Sequence, residues 1–411
     1  MRIYKLLILT VLLAGSLSAQ GERRSLEECL DMASSSNPLL LAGEKSVEKA
    51  SSLTATAFDA PNTAVELSQD ATDGGGMENG LKFSQEFEFP TLYVAKRKAL
   101  KAEYSLSEAA FDVKKTEIYG EITSTYYSAV RAESRLKRIK SLLAEYEYFV
   151  DIARKRHLAG ETSMLELLNA ERMVDKATLD CRDAETEFRA LSLRLRELTG
   201  STEPILPSET VLPLLELRAK DEEINPENTV QGALLRAELL LTQKNVDVAR
   251  QDFMPGFFVA ATSQLLIKSF NPYNVERPRF QKGNFMGFQV GVTVPLFFGA
   301  KKARLSAAKR DVEIARYNME AANDRLKREY AVALDEYETS RVNLAFYEEK
   351  GLKQAREMVR LSQVSYELGE IDYMEYIRNV ETAAEIELEY IDIVDRCNQA
   401  VIKLNNLKGK I

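Results

Sequence analysis

Two glycines are each followed by a short run of carboxylates: Gly160 by Glu161 and Glu166, and Gly369 by Glu370, Asp372 and Glu375. The chemistry open to such sets is cation binding. If copies of the chain assemble around an axis, each lumen-facing carboxylate becomes a ring that attracts cations and raises its own pKa by repulsion. The competing reading is a solvated helix start, where acids favour the helix dipole. Little else in the 411 residues offers reactivity. The single histidine, His157 in RKRHLAG, follows three cations and reads as an exposed helix-end residue. Cys29, Cys181 and Cys397 are odd in number and lack metal or disulfide spacing. No nucleophile–base set, phosphate loop or zinc spacing appears, and one histidine leaves little general-base chemistry near neutral pH. The expectation is a protein that is not an enzyme and has no cofactor and no metal site.

The elements that carry these glycines are drawn by proline, which sits quietly in neither helix interiors nor central strands. No proline falls between Pro90 and Pro204, or after Pro295. Both blocks are rich in Ala, Glu, Lys, Arg and Leu and favour helix. The spacing predicts long helices over roughly 93–158 and 300–368, each about 100 Å at 1.5 Å per residue. Return helices follow near 163–199 and 373–408, and opening helices span 25–57 and about 228–253. Gly160 and Gly369 sit where each long helix turns back, since glycine is the usual residue for leaving a helix in the left-handed conformation. Between the halves, residues 201–227 carry Pro204, Pro207, Pro213 and Pro226 and read as an irregular connector.

The halves repeat. Pro90, Ala95 and Lys96 recur as Pro295, Ala300 and Lys301, whereas Gly160 and Glu161 recur as Gly369 and Glu370, four residues further along in offset. That difference predicts about one extra helical turn in the second long helix. Each return helix carries a heptad seam. Ala177, Cys181, Ala184, Phe188, Leu191, Leu195 and Leu198 share their spacing with Ile386, Tyr390, Ile393, Cys397, Ala400, Leu404 and Leu407. Such a 3.5-residue repeat supercoils left-handedly against neighbouring helices, which makes Cys181 and Cys397 buried seam residues.

Before each long helix the period changes to two. Phe288, Val290, Val292 and Val294 alternate with Gln289, Gly291 and Thr293, and LKFSQEFEF keeps Leu81, Phe83, Phe87 and Phe89 on one face. Partner strands NTAVELSQ and GFFVAATSQLL complete hairpins over 62–90 and 256–295, with Pro90 and Pro295 as the strand-to-helix joints.

The chain opens with Arg2 and Lys5, the apolar run LLILTVLL and small residues to Ala19, the pattern of an export signal over 1–19. Its loss takes the basic count from 55 to 53 against 63 acids, a charge of −10 that argues against nucleic acid as a partner. No other apolar run approaches the ~20 residues of a membrane helix, so a membrane part must be β. Four strands cannot close a barrel, and open edges cannot sit in lipid. The chain must therefore assemble: two copies give eight strands and no usable bore, while three give twelve and a passage.

With SLEECLDMASSSNPLL near the mature start, FEFPTLYVAKRKAL and TVPLFFGAKKARL before the long helices, and the paired glycine breaks, nearly all of the mature chain resembles the TolC-like outer-membrane efflux proteins. The resemblance implies a mainly α fold with a β-barrel part. It would be a homotrimer with a twelve-stranded barrel in outer-membrane lipid of a Gram-negative bacterium and a periplasmic α-helical tunnel, working with a periplasmic adaptor (membrane fusion protein) and an inner-membrane pump. RAEL at 236–239 departs from the family's usual Arg-Pro-Glu-Leu. The alternative is a periplasmic coiled-coil adaptor or scaffold without a barrel.

The resemblance also assigns roles. Glu375 falls on the first of the family's two aperture carboxylates, and the second falls on Arg378, a charge reversal that permits a Glu375–Arg378 pair. The closing latch falls on Tyr366 and Glu166, and its arginine on Ile371, which predicts a less firmly held closed state. The gate set is thus Tyr366, Glu166, Asp372, Glu375 and Arg378. Gly160 and Gly369, with Leu158, Ala159 and Leu368, are the expected adaptor contact. Phe270, Tyr273, Phe280 and Phe285 are candidates for an aromatic interfacial belt.

Overall fold

The structure, a computed structural model, describes residues 21–71, 77–217, 224–266 and 285–409. The order helix, hairpin, long helix, return helix occurs twice. In the first half these are β1 (Glu22–Arg24), α1 (Leu26–Ser36), α2 (Pro38–Leu53), β2 (Ala64–Ala71), β3 (Met77–Phe87), α3 (Pro90–Leu158) and α4 (Met164–Thr199). After the connector strand β4 (Ile205–Pro207) come α5 (Val230–Gln251), β5 (Gly256–Leu266), β6 (Phe285–Thr293), α6 (Gly299–Phe346), α7 (Leu352–Glu367) and α8 (Tyr373–Lys408). The chain forms two units, one of Met1–Glu44, Phe111–Val230 and Asn323–Ile411, the other of Lys45–Ala110 and Gln231–Ala322.

The first unit is helical and built on the seams. Leu195 and Leu198 of α4 pack with Ile118, Ile122 and Tyr126 of α3 and Cys29 and Ala33 of α1. Cys397, Ala400 and Leu404 of α8 pack in the same way on Tyr330, Ala333 and Tyr337 of α6. Leu195 and Leu404 are wholly buried, each worth about 1.5–3 kcal/mol of transfer. The cysteines are buried and free. The connector is tied in by its backbone: β4 pairs in parallel with β1. Beyond it, the Asn398 amide donates to the Pro213 carbonyl at 2.7 Å while its oxygen accepts from the Leu215 N–H at 2.8 Å.

The second unit holds one antiparallel sheet in the order β2-β3-β5-β6. Its register stacks Val65 on Phe83, Phe83 on Ala261, Val259 on Val290 and Phe257 on Val292. This face is apolar yet open, with Leu67, Phe288 and Val290 exposed at 81%, 78% and 80%. The other face carries Glu66, Lys82, Ser84, Thr262 and Gln289, with Glu66 and Lys82 paired at 3.2 Å. β2 and β6 are the outer strands, and among the described residues each lacks a neighbour on one side.

Two expectations need correction. The opening helix over 25–57 is broken at Asn37, because Pro38 drives the preceding residue to an extended conformation (φ −70°, ψ 120°). Asn37 then caps α2, accepting from the N–H groups of Leu39 and Leu40. In the second half, Ala237 stands in RAEL, and α5 runs through it unbroken. The second long helix gains no turn. α6, a five-residue π turn (Tyr347–Gly351) and α7 hold 48, 5 and 16 residues, together matching the 69 of α3. The four additional residues are Pro295–Phe298, a non-helical segment ahead of α6, so Pro90 is the first residue of its helix and Pro295 is not. Phe270, Tyr273 and Phe280 lie outside the described residues, and Phe285 opens β6.

Candidate functional site: the two glycine turns

Both turns lie in the helical unit and share one construction. Gly160 (φ 77°) and Gly369 (φ 73°) take the left-handed conformation that a Cβ disfavours. Glu161 N–H returns to the Arg156 carbonyl at 2.9 Å and Gly160 N–H to His157 at 3.0 Å. Glu370 and Gly369 repeat the pattern onto Ser365 and Tyr366 at 2.8 and 3.1 Å. These paired bonds close the last orphan carbonyls of each helix. Each return helix then restarts on a capped N-terminus: Ser163 accepts from the Glu166 N–H and Asp372 from the Glu375 N–H.

Asp372 is therefore occupied as a helix cap. Glu375 and Arg378 are exposed on α8, and the pair that their spacing permits is not formed. His157 is half-buried, its Nδ1 3.1 Å from the Thr162 carbonyl, rather than an exposed helix-end residue. Leu158 and Leu368 are exposed at 82% and 69% beside the glycines, and Ala159 is exposed between them in chain order.

Below the turns the two helix pairs, α3–α4 and α7–α8, share one core. Val150 and Ala153 of α3 and Leu167 and Ala170 of α4 pack with Tyr373, Tyr376 and Ile377 of α8, and Tyr366 and Ile371 rest against them. Tyr366 stacks on Tyr376 at 5.2 Å and 15°, and Phe149 meets Tyr376 edge-on at 5.3 Å. Burial pushes the phenols of Tyr373 and Tyr376 above the ordinary tyrosine range.

The polar link across this core is Arg156. Its Nη1 donates to the Tyr366 hydroxyl at 2.8 Å and lies 3.7 Å from Glu166, and its Nε is 3.8 Å from Glu161. Thr162 donates to the other Glu166 oxygen. Tyr366 and Glu166 are thus brought together, but through a guanidinium rather than by a direct hydrogen bond. Ile371 leaves no arginine at the position directly after the second turn, yet one arrives from the last turn of α3. In sequence Arg156 is one of three cations at a helix C-terminus, where cations are ordinary; its place four residues before Gly160 was the only signal.

A second charge cluster ties α3, α4 and α8 farther along. Arg131 lies against Glu187, Asp392 and Asp395, the last at 3.4 Å, and Arg135 meets Asp392 at 2.8 Å. Burial raises the Asp395 carboxyl, opposed by its bond from Gln399 and by Arg131. No helix among the described residues is long and apolar enough to cross a membrane.

Comparison with known proteins places these features in a family. The family model for outer membrane efflux proteins matches residues 29–201 and 233–410. Outer membrane protein OprJ of Pseudomonas aeruginosa is 25% identical over 308 residues, covering 71% of this chain and 60% of that protein's length. Among solved structures, CusC superposes with a TM-score of 0.79 at 17% identity, covering 94% of this chain and 92% of its own. The CmeC outer membrane channel of Campylobacter jejuni gives 0.76 at 15% identity, covering 96% and 91%.

Proposed function

The chain belongs to the outer membrane efflux protein family, and we propose that it is the outer-membrane exit duct of a tripartite efflux system. In this reading three copies join their four-stranded sheets, β6 of one to β2 of the next, into a twelve-stranded barrel in the outer membrane of a Gram-negative bacterium. Their helices form the periplasmic tunnel. A periplasmic adaptor and an inner-membrane pump dock at the glycine turns and open them. The duct is passive, with no catalytic residue.

One observation carries this reading: a sheet whose open face is apolar and whose outer strands, β2 and β6, lack partners among the described residues. Water disfavours the first and lipid forbids the second, because unpaired edge amides cost several kcal/mol each in hydrocarbon. Closure with further copies removes both penalties. A periplasmic adaptor or scaffold has no use for such a face and is not favoured.

At the tip, Arg156, Tyr366 and Glu166 hold the closed state, while Glu375 and Arg378 on the exposed side of α8 line the aperture. Gly160, Gly369, Leu158, Ala159 and Leu368 meet the adaptor. Planar-bilayer recording of the mature protein tests the duct. Discrete steps that enlarge on loosening the tip support it, and a protein that leaves the bilayer electrically silent refutes it.

A further inference from the structure

We propose that the N-terminal three turns of α3 and the first turn of α6 form a basic collar that binds anionic phospholipid headgroups at the periplasmic face of the outer membrane. This rests on the reading that the apolar sheet face meets lipid. Lys96, Arg97 and Lys98 on α3, with Lys302 on α6, have no ion-pair partner among the described residues. All but Lys96 are exposed. The contrast lies next to them: Lys301 donates to the Asp252 carbonyl and Arg304 reaches the Asp252 carboxylate at 3.7 Å. Lys301 and Arg304 are thus held by Asp252, while their neighbour Lys302 has no such partner among the described residues.

Their placement is that of a headgroup layer. β3 ends at Phe87 and α3 begins at Pro90; β6 ends at Thr293 and α6 begins at Gly299. The headgroup zone adds about 5–8 Å outside each side of the hydrocarbon. Lys96 lies about 9 Å and Lys302 about 5 Å along their helices. Helical Cα–Cβ bonds tilt toward the N-terminus, here back toward the strands, and long basic side chains extend their charge further. The apolar surface continues to the same level: Leu296 and Phe297 are exposed at 78% and 90%, and Phe298 stacks on Phe253 at 6.0 Å. Neither helix has an acid in its first turn. Lys302, in the first turn of α6, works against the helix dipole, so helix formation alone does not account for it. An apolar run ending in unpaired cations matches the boundary of a bilayer containing anionic lipid.

The test uses the full mature protein in bilayers of phosphatidylcholine with spin-labelled phosphatidylglycerol or spin-labelled phosphatidylcholine. The collar predicts that the protein immobilises phosphatidylglycerol in preference by at least about fivefold, the worth of one headgroup-level cation. The preference should fall to parity at roughly 1 M salt, where the Debye length is about 3 Å, and in a K96Q/R97Q/K98Q/K302Q variant. A K96R/K98R/K302R variant should retain it. Parity in the wild-type protein, or selectivity that survives the four glutamines, overturns the collar while leaving the barrel intact. If neither lipid is immobilised, the sheet does not face lipid, and the collar falls with that reading.

Discussion

Arg156, on the last turn of the first long helix, donates a 2.8 Å hydrogen bond to the hydroxyl of Tyr366, 210 residues later on the last turn of the second. The two glycine turns are thereby coupled within one chain, over a shared aromatic core. A charged donor makes such a bond worth about 1.5–3 kcal/mol when buried. Arg156 is about a third exposed, and solvent screening reduces the value toward 1 kcal/mol.

Arg156→Ala and Tyr366→Phe should therefore each loosen the tip, and the double variant should be no looser than either alone. A double-mutant cycle on denaturant stability should return a coupling of about 0.5–1.5 kcal/mol, and single-channel recordings should show the same non-additive rise in conductance. Strict additivity of the two substitutions would remove Arg156 from the closed state.

The glycines separate conformational cost from steric cost. A Cβ at Gly160 meets nothing within 4 Å, whereas at Gly200, also left-handed, it would lie 2.4 Å from the Ser36 carbonyl oxygen. Gly160→Ala should cost about 1–2 kcal/mol, confined to faster hydrogen exchange around the turn, and Gly160→Asn should cost less. Gly200→Ala should cost more and lower the midpoint of global unfolding. Equal effects at the two glycines would contradict this assignment.

Asp372 distinguishes a cap from an aperture acid. Its carboxylate accepts from the Glu375 N–H at 2.8 Å, a role asparagine fills as well. Asp372→Asn should leave stability and cation block unchanged, while Asp372→Ala should lose about 0.5–2 kcal/mol. A change in cation block with Asp372→Asn would show that its charge faces the conduction path.

Asp395 makes stability depend on pH. Burial raises its carboxyl above the ordinary 3.8, so between that value and the raised one the folded chain binds more protons than the unfolded chain. Stability from this group is therefore greatest at low pH and declines as pH rises through the raised value. Relative to Asp395→Asn, the wild-type protein should gain in urea midpoint as pH is lowered from 7 toward about 4. A gap that is flat, or that changes in the opposite direction, would contradict the burial argument.

Much of this architecture is legible in the residues because helix and strand periods are local. The heptads from Ala177 to Leu198 and from Ile386 to Leu407, the alternation from Phe288 to Val294, and the turns at Gly160 and Gly369 all stand in short windows. The break at Asn37 was within reach, since Pro38 restricts the residue before it. The four residues Pro295–Phe298 were harder to place, because repeat offsets count insertions without locating them. The π turn at Tyr347–Gly351 carries no proline to mark it. Arg156 was invisible for a different reason: its partners Tyr366 and Glu166 are chosen by tertiary packing, and a helix-end arginine looks the same in sequence whether it is solvated or bridges two turns. The Arg131–Asp392–Asp395 cluster, joining positions more than 250 residues apart, is equally silent in sequence.

The most direct measurement is the mass of the protein extracted from outer-membrane fractions in mild detergent, by native mass spectrometry or by light scattering corrected for detergent. Closure of the sheet by neighbouring copies predicts one species of three chains that resists dissociation on warming. A processed chain that is monomeric and remains dissolved without detergent would contradict it, since one copy leaves the edges of β2 and β6 and the face of Leu67, Phe288 and Val290 with nothing to cover them.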